Sequence, residues 1–348
     1  GTVLAAVYSL CPVFFAMSGM YGSPLALALP FVLLSFSSLI EKKHLTAIIL
    51  YALSMLCAKE TIYLYPIYLV YYGFLFVRAI VLYAKYRKNI DDNGADKPAD
   101  SDLIYNLPLY AVGAFVLQYV VSLPLIVKDY NANPFKFIYR AFLKPLVTPE
   151  YFSYNGLSIY NIFGKNAEAI NVTFPSVAFT VCFGVLIFAI VAAVYFSKKN
   201  RAVLPLLGAY VLFTIASYFP DSTSVSIIPV LALLLASFVY TKDRRLLQIF
   251  SSASLALVLN LLTAMAYGGY FNMLALGEFT SSSYTGVSTL TSGAGLVISI
   301  ICSIISVAAH LYFTFAAFDI TMSNNRKLLT GKSDIGYFKG IARLFGQE

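Results

Sequence analysis

The residues best suited to chemistry are acids and bases that lie between long apolar runs of the sequence. A carboxylate can take a proton from an attacking hydroxyl group, and an ammonium or guanidinium group can hold a phosphate. The sequence contains no phosphate-binding loop, no serine-nucleophile elbow and no His/Cys metal cluster. The residues therefore assign no metal and no cofactor, and they leave open whether a divalent metal takes part. The candidate acids are Glu60, Asp129 and Asp221, and the candidate phosphate-binding cations are Lys59, Lys128, Arg140 and Lys144.

The composition is that of a membrane protein, which sets where these side chains can lie. Of 348 residues, 59% are hydrophobic and only 11% are charged, against about 25% charged residues in soluble domains. The apolar runs are continuous and roughly 17 to 25 residues long, which predicts about ten transmembrane helices and argues against a β-barrel. The predicted spans are Val3–Met20, Pro24–Ile40, His44–Ala58, Ile62–Ala84, Tyr105–Val127, Phe174–Phe196, Ala202–Phe219, Ser224–Tyr240, Leu246–Tyr267 and Ala294–Phe318.

The net charge of +8 follows membrane topology and does not indicate nucleic-acid binding, because the basic residues lie in short loops between apolar runs. Basic residues favour one set of alternate loops by about three to one, and such loops are typically cytoplasmic. This predicts a multi-pass protein of the cell membrane with both termini in the cytoplasm. The predicted organisation is a transmembrane bundle over 1–322 and a basic cytoplasmic tail over 323–348.

The long loop Lys128–Thr173 is predicted to face outward and to carry most of the candidate residues. Within it, Asn133–Lys144 has apolar residues near helical spacing and basic residues on another face, which predicts an amphipathic helix lying in the membrane interface. The polar inner loop Asn89–Asp102 is predicted to be disordered. Among polar residues inside spans, Gln118, Asn260 and His310 are predicted to be interhelical hydrogen-bond partners.

Three stretches of the chain share local patterns with one enzyme family. The strongest is Asn155–Gly164, where Asn155 and Gly164 match an outer-loop pattern in register and Ser158 and Tyr160 are replacements of similar chemical kind. The other two are N-terminal turns that contain Tyr21-Gly22 and Lys59, and a later region with Phe219-Pro220, Pro229, Tyr240 to Leu246 and Asn260-Leu261.

In this order, the patterns resemble the GT-C glycosyltransferases, most closely the bacterial group related to the GPI mannosyltransferases. The chain departs from the family at Asp221–Ser226, which stands where the family has His-Glu-Arg-Tyr. The family's catalytic aspartate lies in a first outer loop whose preceding helix is not found in this chain, so no catalytic residue is assigned beyond the candidates Asp129, Asp221 and Glu60. The resemblance thus indicates a divergent member that appears without its N-terminal part.

The resemblance implies an enzyme that moves a sugar, as a mannosyltransferase does, from a polyprenyl-phosphate donor to an acceptor on the outer face. The implied partners are the bilayer and the lipid-linked sugar. Substrate-binding residues would be Asn155, Ser158 and Tyr160 together with the cations named above. Two alternatives remain open. One is a flippase, transporter or polymerase of envelope polysaccharides, and the other is a non-catalytic membrane subunit that relies on a partner.

Overall fold

The structure is a computed structural model that describes residues 11–15, 25–93, 102–126, 151–166, 168–170, 183–185, 187–188, 191, 203–220, 222–267 and 293–322. These residues are mostly helical. The helices are α1 (Pro12–Phe15), α2 (Leu25–Ile40), α3 (His44–Cys57), α4 (Tyr65–Asn93), α5 (Leu103–Ile126), α6 (Ile159–Ile162), α7 (Leu204–Tyr218), α8 (Ile228–Thr241), α9 (Arg244–Tyr267) and α10 (Gly293–Met322). Two 3₁₀ helices cover Lys59–Leu64 and Ser224–Ile227, and the strands are β1 (Ser153–Tyr154) and β2 (Ser222–Thr223).

Within the described ranges, five helical segments are long and apolar enough to cross a membrane, as the apolar composition predicts. They are Glu60–Arg87, Leu103–Leu123, Ser224–Thr241, Arg244–Ala264 and Gly293–Thr321. Three shorter apolar helices accompany them, over Leu27–Ile40, His44–Cys57 and Leu204–Tyr218. Eight of the predicted spans thus coincide with helices, and the other two, Val3–Met20 and Phe174–Phe196, fall mainly outside the described residues.

Two predicted boundaries differ from the structure. The helix α3 has 14 residues and is about 21 Å long at 1.5 Å per residue, which is shorter than the hydrocarbon core of a bilayer. The chain continues from it as the 3₁₀ helix Lys59–Leu64 before α4 begins. At its other end, α4 continues to Asn93. The segment Asn89–Asp102, which is predicted from the sequence to be a disordered loop, therefore begins as helix.

The helices define two ends of the bundle, which are called the Asn155 end and the Arg245 end. At the Asn155 end, Asn260 near the end of α9 contacts Asn155. At the Arg245 end, Arg245 at the start of α9 binds Asp319 near the end of α10, so α9 and α10 are antiparallel. The ring of Phe36, late in α2, lies beside Gly208, early in α7. The chain therefore turns from α2 into α3 at the Arg245 end, and the 3₁₀ helix Lys59–Leu64 lies at the Asn155 end.

The centre of the bundle is formed by α7 and α8. Every residue from Leu204 to Ser217 is buried, as are Ile228 to Leu235. By contrast, α5 lies at the periphery of the bundle. Its residues Tyr105, Leu109 and Val112 are 62%, 66% and 60% exposed. An apolar helix exposed on most of its surface is stable in lipid, because lipid solvates apolar side chains.

The Arg245 end is held by a buried ion cluster. The Arg245 Nη2 atom lies 2.6 Å from Asp243 Oδ2 and 2.9 Å from Asp319 Oδ2, and the Arg245 backbone N–H donates to Asp243 Oδ1 at 2.9 Å. All three residues are buried. A guanidinium group shared by two carboxylates satisfies charges that would be costly to bury alone, and it joins the α8–α9 turn to α10.

Candidate functional site

A short parallel strand pair brings the outer-loop pattern against the helical bundle. Ser153 and Tyr154 of β1 pair with Ser222 and Thr223 of β2, although 69 positions separate them in sequence. Gly156 is required at the crossing, because a Cβ atom there would lie 2.5 Å from the backbone oxygen of Ser222. The segment 151–166 is therefore docked directly beside the entry to α8.

Asn155 is the centre of this docking. Its backbone is in the left-handed region, with φ of 54°, which Asn tolerates better than most residues. Its backbone N–H donates to Asn166 Oδ1 at 2.7 Å. Its carbonyl oxygen accepts from Asn260 Nδ2 at 3.1 Å and from the Ser224 hydroxyl. Both backbone groups of the turn are thus satisfied inside the protein.

A second asparagine extends this network into α10. The Asn161 amide nitrogen donates to Ser299 Oγ at 2.8 Å and to Ser303 Oγ at 2.9 Å. The Ser299 hydroxyl in turn donates to Asn260 Oδ1 at 2.9 Å. Ser299 therefore joins Asn161 to Asn260, which is itself bonded to Asn155, and all three asparagines are buried. We call these residues with Ser158, Ser222, Ser224, Ser299 and Ser303 the asparagine cluster.

Within the described part of the chain, four oxygen atoms of the asparagine cluster have no hydrogen-bond partner. They are Asn155 Oδ1, Ser158 Oγ, Asn161 Oδ1 and Ser222 Oγ. Buried polar atoms without partners are rare in folded proteins and cost free energy, so the grouping of three in one loop and a fourth on the adjoining strand β2 is typical of a binding site. Amide oxygens accept hydrogen bonds and serine hydroxyls both donate and accept, so the cluster suits hydroxyl groups of a neutral ligand.

Tyr160 lies at the edge of the cluster. Its ring contacts that of Phe152 at a centroid distance of 5.5 Å. Partial burial raises the pKa of the Tyr160 phenol, so the side chain is neutral at physiological pH and can donate a hydrogen bond. Beside it, the exposed Lys165 ammonium pairs with Glu168 at 2.7 Å.

The other sequence candidates are only partly within the described residues. The backbone of Lys59 and Glu60 opens the 3₁₀ helix at the Asn155 end, and the Glu60 side chain is half-buried and has partners in the protein. The remaining candidates lie outside the described residues, as does the predicted amphipathic helix Asn133–Lys144. These candidates are Lys128, Asp129, Arg140, Lys144 and Asp221.

Sequence reasoning missed Asn161 and its serine partners. One signal was present, because Ser299, Ser303, Ser306 and His310 recur at spacings of four, three and four residues, which places them on one face of a helix. That face of α10 contacts α7 through His310 and the asparagine cluster through Ser299 and Ser303. Nothing local in the sequence pairs Asn161 with a residue 138 positions away.

The same face of α10 continues the polar surface toward the middle of the bundle. Thr214 donates its hydroxyl to the Tyr210 carbonyl at 2.7 Å, so its oxygen accepts from His310 Nε2 at 2.9 Å. This leaves Nδ1 of His310 as an acceptor, and it has no partner in the described part of the chain. The hydroxyls of Ser217 and Ser306, about one turn toward the Asn155 end, also have none. We call these residues the His310 seam.

A groove lies between α3, α4 and α5, with a cavity volume of about 410 Å³. It extends along α4 from Tyr65 to Gly73 and along α5 from Leu107 to Gln118. Its lining residues Tyr65 and Phe115 are 53% and 43% exposed, so the groove is open along one side. The 3₁₀ helix Lys59–Leu64 ends directly before Tyr65, which puts one end of the groove at the Asn155 end of the bundle.

Comparison with known proteins finds no matching family model, no matching curated protein and no matching solved structure.

Proposed function

We propose that this protein is a membrane glycosyltransferase that moves a sugar from a polyprenyl-phosphate donor to an acceptor on the outer face of the cell membrane. The observation that carries the proposal is the docked loop Asn155–Asn161 at one end of a bundle of apolar helices. Three buried oxygens of this loop have no hydrogen-bond partner among the described residues. The same loop contains the residues of the closest resemblance to the GT-C enzymes. A neutral, oxygen-rich cluster at a bundle end suits a sugar, whose hydroxyl groups donate hydrogen bonds.

In the proposed reaction, an acceptor hydroxyl oxygen attacks the anomeric carbon of the donor sugar. A new C–O bond forms, the bond from the anomeric carbon to the phosphate oxygen breaks, and polyprenyl phosphate leaves with the bonding electrons. A carboxylate takes the acceptor proton, for which Asp129, Asp221 and Glu60 are the candidates. Lys59, Lys128, Arg140 and Lys144 are the candidates for stabilising the leaving phosphate.

The finer topology belongs to the same proposal. The chain crosses the membrane about ten times, with both termini in the cytoplasm and the Asn155 end outward. The helix Asn133–Lys144 lies along the outer interface, where its basic residues reach a lipid phosphate and its apolar residues contact acyl chains. The exposed surface of α5 is covered by lipid or by a membrane partner subunit.

A transfer assay tests the proposal. The protein is placed in nanodiscs with radiolabelled polyprenyl-phosphate mannose and a mixture of lipid acceptors, and the label that leaves the donor is measured. Ser158→Ala removes a hydroxyl that has no partner among the residues that the structure describes, so we expect the fold to be retained. Transfer should fall roughly fivefold, which corresponds to the loss of one neutral hydrogen bond.

The control is Ser254→Ala on α9, outside the asparagine cluster. The Ser254 hydroxyl also has no partner in the described ranges of the chain, and its removal should leave transfer unchanged. Equal transfer by Ser158→Ala and wild type would remove Ser158 from the site. If the wild type transfers sugar from no polyprenyl-phosphate donor, the proposed function is wrong.

The second candidate is a flippase or transporter of envelope saccharides, and the His310 seam favours it. A transporter needs polar groups along a route through the bilayer, and polar residues inside spans commonly mark such routes. The seam supplies polar atoms of Ser217, Ser306 and His310 that have no partner in the described structure, and these lie between the asparagine cluster and the middle of the bundle. In the nanodisc assay a transporter releases no sugar from its carrier, whereas in sealed vesicles it moves the intact lipid-linked sugar between leaflets.

A further inference from the structure

We infer that the His310 seam is a water-binding site, in which a buried water molecule bridges His310 Nδ1, Ser306 Oγ and Ser217 Oγ and connects the imidazole ring to the asparagine cluster. Water in the seam does not depend on sugar transfer, so the site goes beyond the proposed function. Three features of the seam support it, which are the direction of its hydroxyl groups, the spacing between its polar atoms and their hydrogen-bonding character.

The hydroxyl groups of Ser217 and Ser306 are not bonded to their own helices. Serine and threonine inside a helix often donate to the carbonyl oxygen four residues earlier. Ser303 and Thr314 do so on α10, at 2.9 Å and 3.0 Å, and Thr214 does so on α7 at 2.7 Å. By contrast, the Ser217 and Ser306 hydroxyls have no partner in the described part of the chain, and both residues are fully buried. A buried hydroxyl of this kind needs another partner within reach.

The two serines lie at the same level of one helix interface. The helix α7 ends just before β2 at the Asn155 end, and α10 begins at that end, so the two helices are antiparallel. They meet where Thr214 Oγ1 bonds His310 Nε2 at 2.9 Å. Ser217 follows Thr214 by three residues and Ser306 precedes His310 by four, which places both about one turn closer to the Asn155 end. Both hydroxyls therefore lie between the imidazole and the asparagine cluster.

The spacing of these groups suits bridging water. His310 Nδ1 and the two serine hydroxyls make no hydrogen bond with one another, and one helical turn separates their levels by about 4.5–6 Å. Two hydrogen bonds of about 2.8 Å through one water oxygen span that distance. One further turn toward the Asn155 end, the Ser303 hydroxyl accepts from Asn161 Nδ2 at 2.9 Å. Polar groups at water-bridging intervals thus lead from the asparagine cluster to the imidazole.

The character of the atoms selects a small neutral ligand that both donates and accepts hydrogen bonds. Nδ1 of His310 only accepts, because Nε2 carries the proton, whereas the serine hydroxyls donate and accept. The described residues contain no group of three His, Cys, Asp or Glu side chains that could hold a metal ion. The rings of Tyr210, Phe213 and Tyr218 pack against the imidazole at centroid distances of 5.7, 5.2 and 5.1 Å. Water fits these limits and finds the three partners that buried water typically has.

A water molecule at this position gives the imidazole a connection to the Asn155 end. His310 lies in the middle of α10 and is 3% exposed, and ionisable side chains inside apolar bundles commonly face a protein or water-filled interior. With the bridging water in place, Nδ1 is a buried base that exchanges hydrogen bonds with the asparagine cluster and not with lipid.

The experiment is water-edited solid-state NMR on the full chain in proteoliposomes, with isotope-labelled histidine rings as the probe. The sequence contains two histidines, and the signals of His310 are those that disappear in His310→Gln. In the wild type we expect early magnetisation transfer from water to the His310 ring and a nitrogen shift typical of an unprotonated, hydrogen-bonded Nδ1. The ring of His44, at the Arg245 end, is the internal reference.

Three variants separate the seam from general effects. Ser306→Val places a methyl group where the bridging water lies, so early transfer to the His310 ring should be lost while the His44 signal stays unchanged. Ser217→Ala combined with Ser306→Ala removes two of the three water partners without adding atoms, and it should give the same loss without overpacking. Ser254→Val makes the valine substitution on α9, outside the seam, and should keep the transfer of the wild type.

Absence of early transfer to the wild-type His310 ring, or a proton on its Nδ1, would overturn the inference. Early transfer that is equal in the wild type, Ser306→Val and the double alanine variant would do the same, because water would then reach the ring by a route outside the seam. A loss in Ser254→Val as large as that in Ser306→Val would also contradict it, since the effect would not be specific to the seam.

Discussion

At the scale of single residues, Asn260 connects more of the candidate site than any other side chain of the asparagine cluster. Its amide nitrogen donates to the Asn155 carbonyl oxygen at 3.1 Å and to Ser224 Oγ at 3.0 Å. Its amide oxygen accepts from the Ser299 hydroxyl at 2.9 Å. One side chain on α9 thus holds the docked loop, the entry to α8 and the start of α10.

Replacing Asn260 tests how strongly this network supports the fold. Asn260→Leu keeps the side-chain volume similar and removes three hydrogen bonds, each worth roughly 0.6 kcal/mol between membrane helices. We expect a loss of stability of about 2 kcal/mol, seen as a Tm lower by several degrees in thermal unfolding in nanodiscs.

The matched control for this measurement is Ser254→Ala, since Ser254 lies on the same helix and its hydroxyl has no partner among the residues whose structure is described. The control should unfold at the temperature of the wild type. An unchanged Tm in Asn260→Leu would mean that the network positions the loop without stabilising the bundle.

The sequence predicts some of these residues and not others, for a physical reason. Asn155 and Asn260 stand out locally, the first in a recognisable loop pattern and the second as an amide inside an apolar run. Asn161 gains its role only when α6 packs against α10, and that contact depends on the tertiary fold. Burial and hydrogen bonding of this kind are decided by packing between distant segments, which a local pattern does not contain.

At the scale of elements, the strand pair β1–β2 is the part of the fold that positions the loop. Gly156→Ala would place a methyl group 2.5 Å from the Ser222 backbone oxygen, and backbone atoms cannot move aside by changing rotamer. We expect the loop to separate from β2, with a cost of about 1–3 kcal/mol as for other overpacking substitutions. Hydrogen–deuterium exchange of peptides covering 151–166 and 222–227 should become faster.

Gly164→Ala is the control for backbone strain without a clash. Gly164 has φ of 72° and nothing within 4 Å of an added Cβ atom, so this variant strains the turn after α6 but does not touch β2. Exchange in 222–227 should stay as in the wild type. Faster exchange there in both variants would show that the loop is held by the turn and not by the close approach at Gly156.

Helices are the elements that the sequence predicts best here, because a long apolar run has few other stable forms in a membrane. The predicted span Tyr105–Val127 corresponds to α5 at Leu103–Ile126, and Leu246–Tyr267 to α9 at Arg244–Tyr267. The strand pair was not predicted, since two-residue strands carry no alternating pattern. The tyrosine lining of the groove was not predicted either, because the inward direction of the Tyr51, Tyr68 and Tyr72 hydroxyls depends on the packing of α2, α3 and α4.

At the scale of the whole molecule, the two ends of the bundle differ in chemistry. The Arg245 end contains a buried ion cluster of Arg245, Asp243 and Asp319, whereas the asparagine cluster at the other end is built from neutral side chains. The proposed function requires the neutral cluster to face outward, where a lipid-linked sugar and its acceptor would meet. The positive-inside rule predicts the same orientation, because basic residues near the Arg245 end are expected to face the cytoplasm.

The orientation of the two ends in intact cells is the measurement that tests this account most directly. The four natural cysteines are replaced, and one cysteine is introduced either as Phe163→Cys, at a side chain 73% exposed beside the asparagine cluster, or as Glu41→Cys, in the exposed turn between α2 and α3 at the Arg245 end. The account predicts that a membrane-impermeant thiol reagent labels Cys at position 163 in intact cells and labels the cysteine at position 41 only after the membrane is opened. Labelling of position 41 but not position 163 in intact cells would place the candidate site in the cytoplasm and contradict a sugar transferase that acts on the outer face.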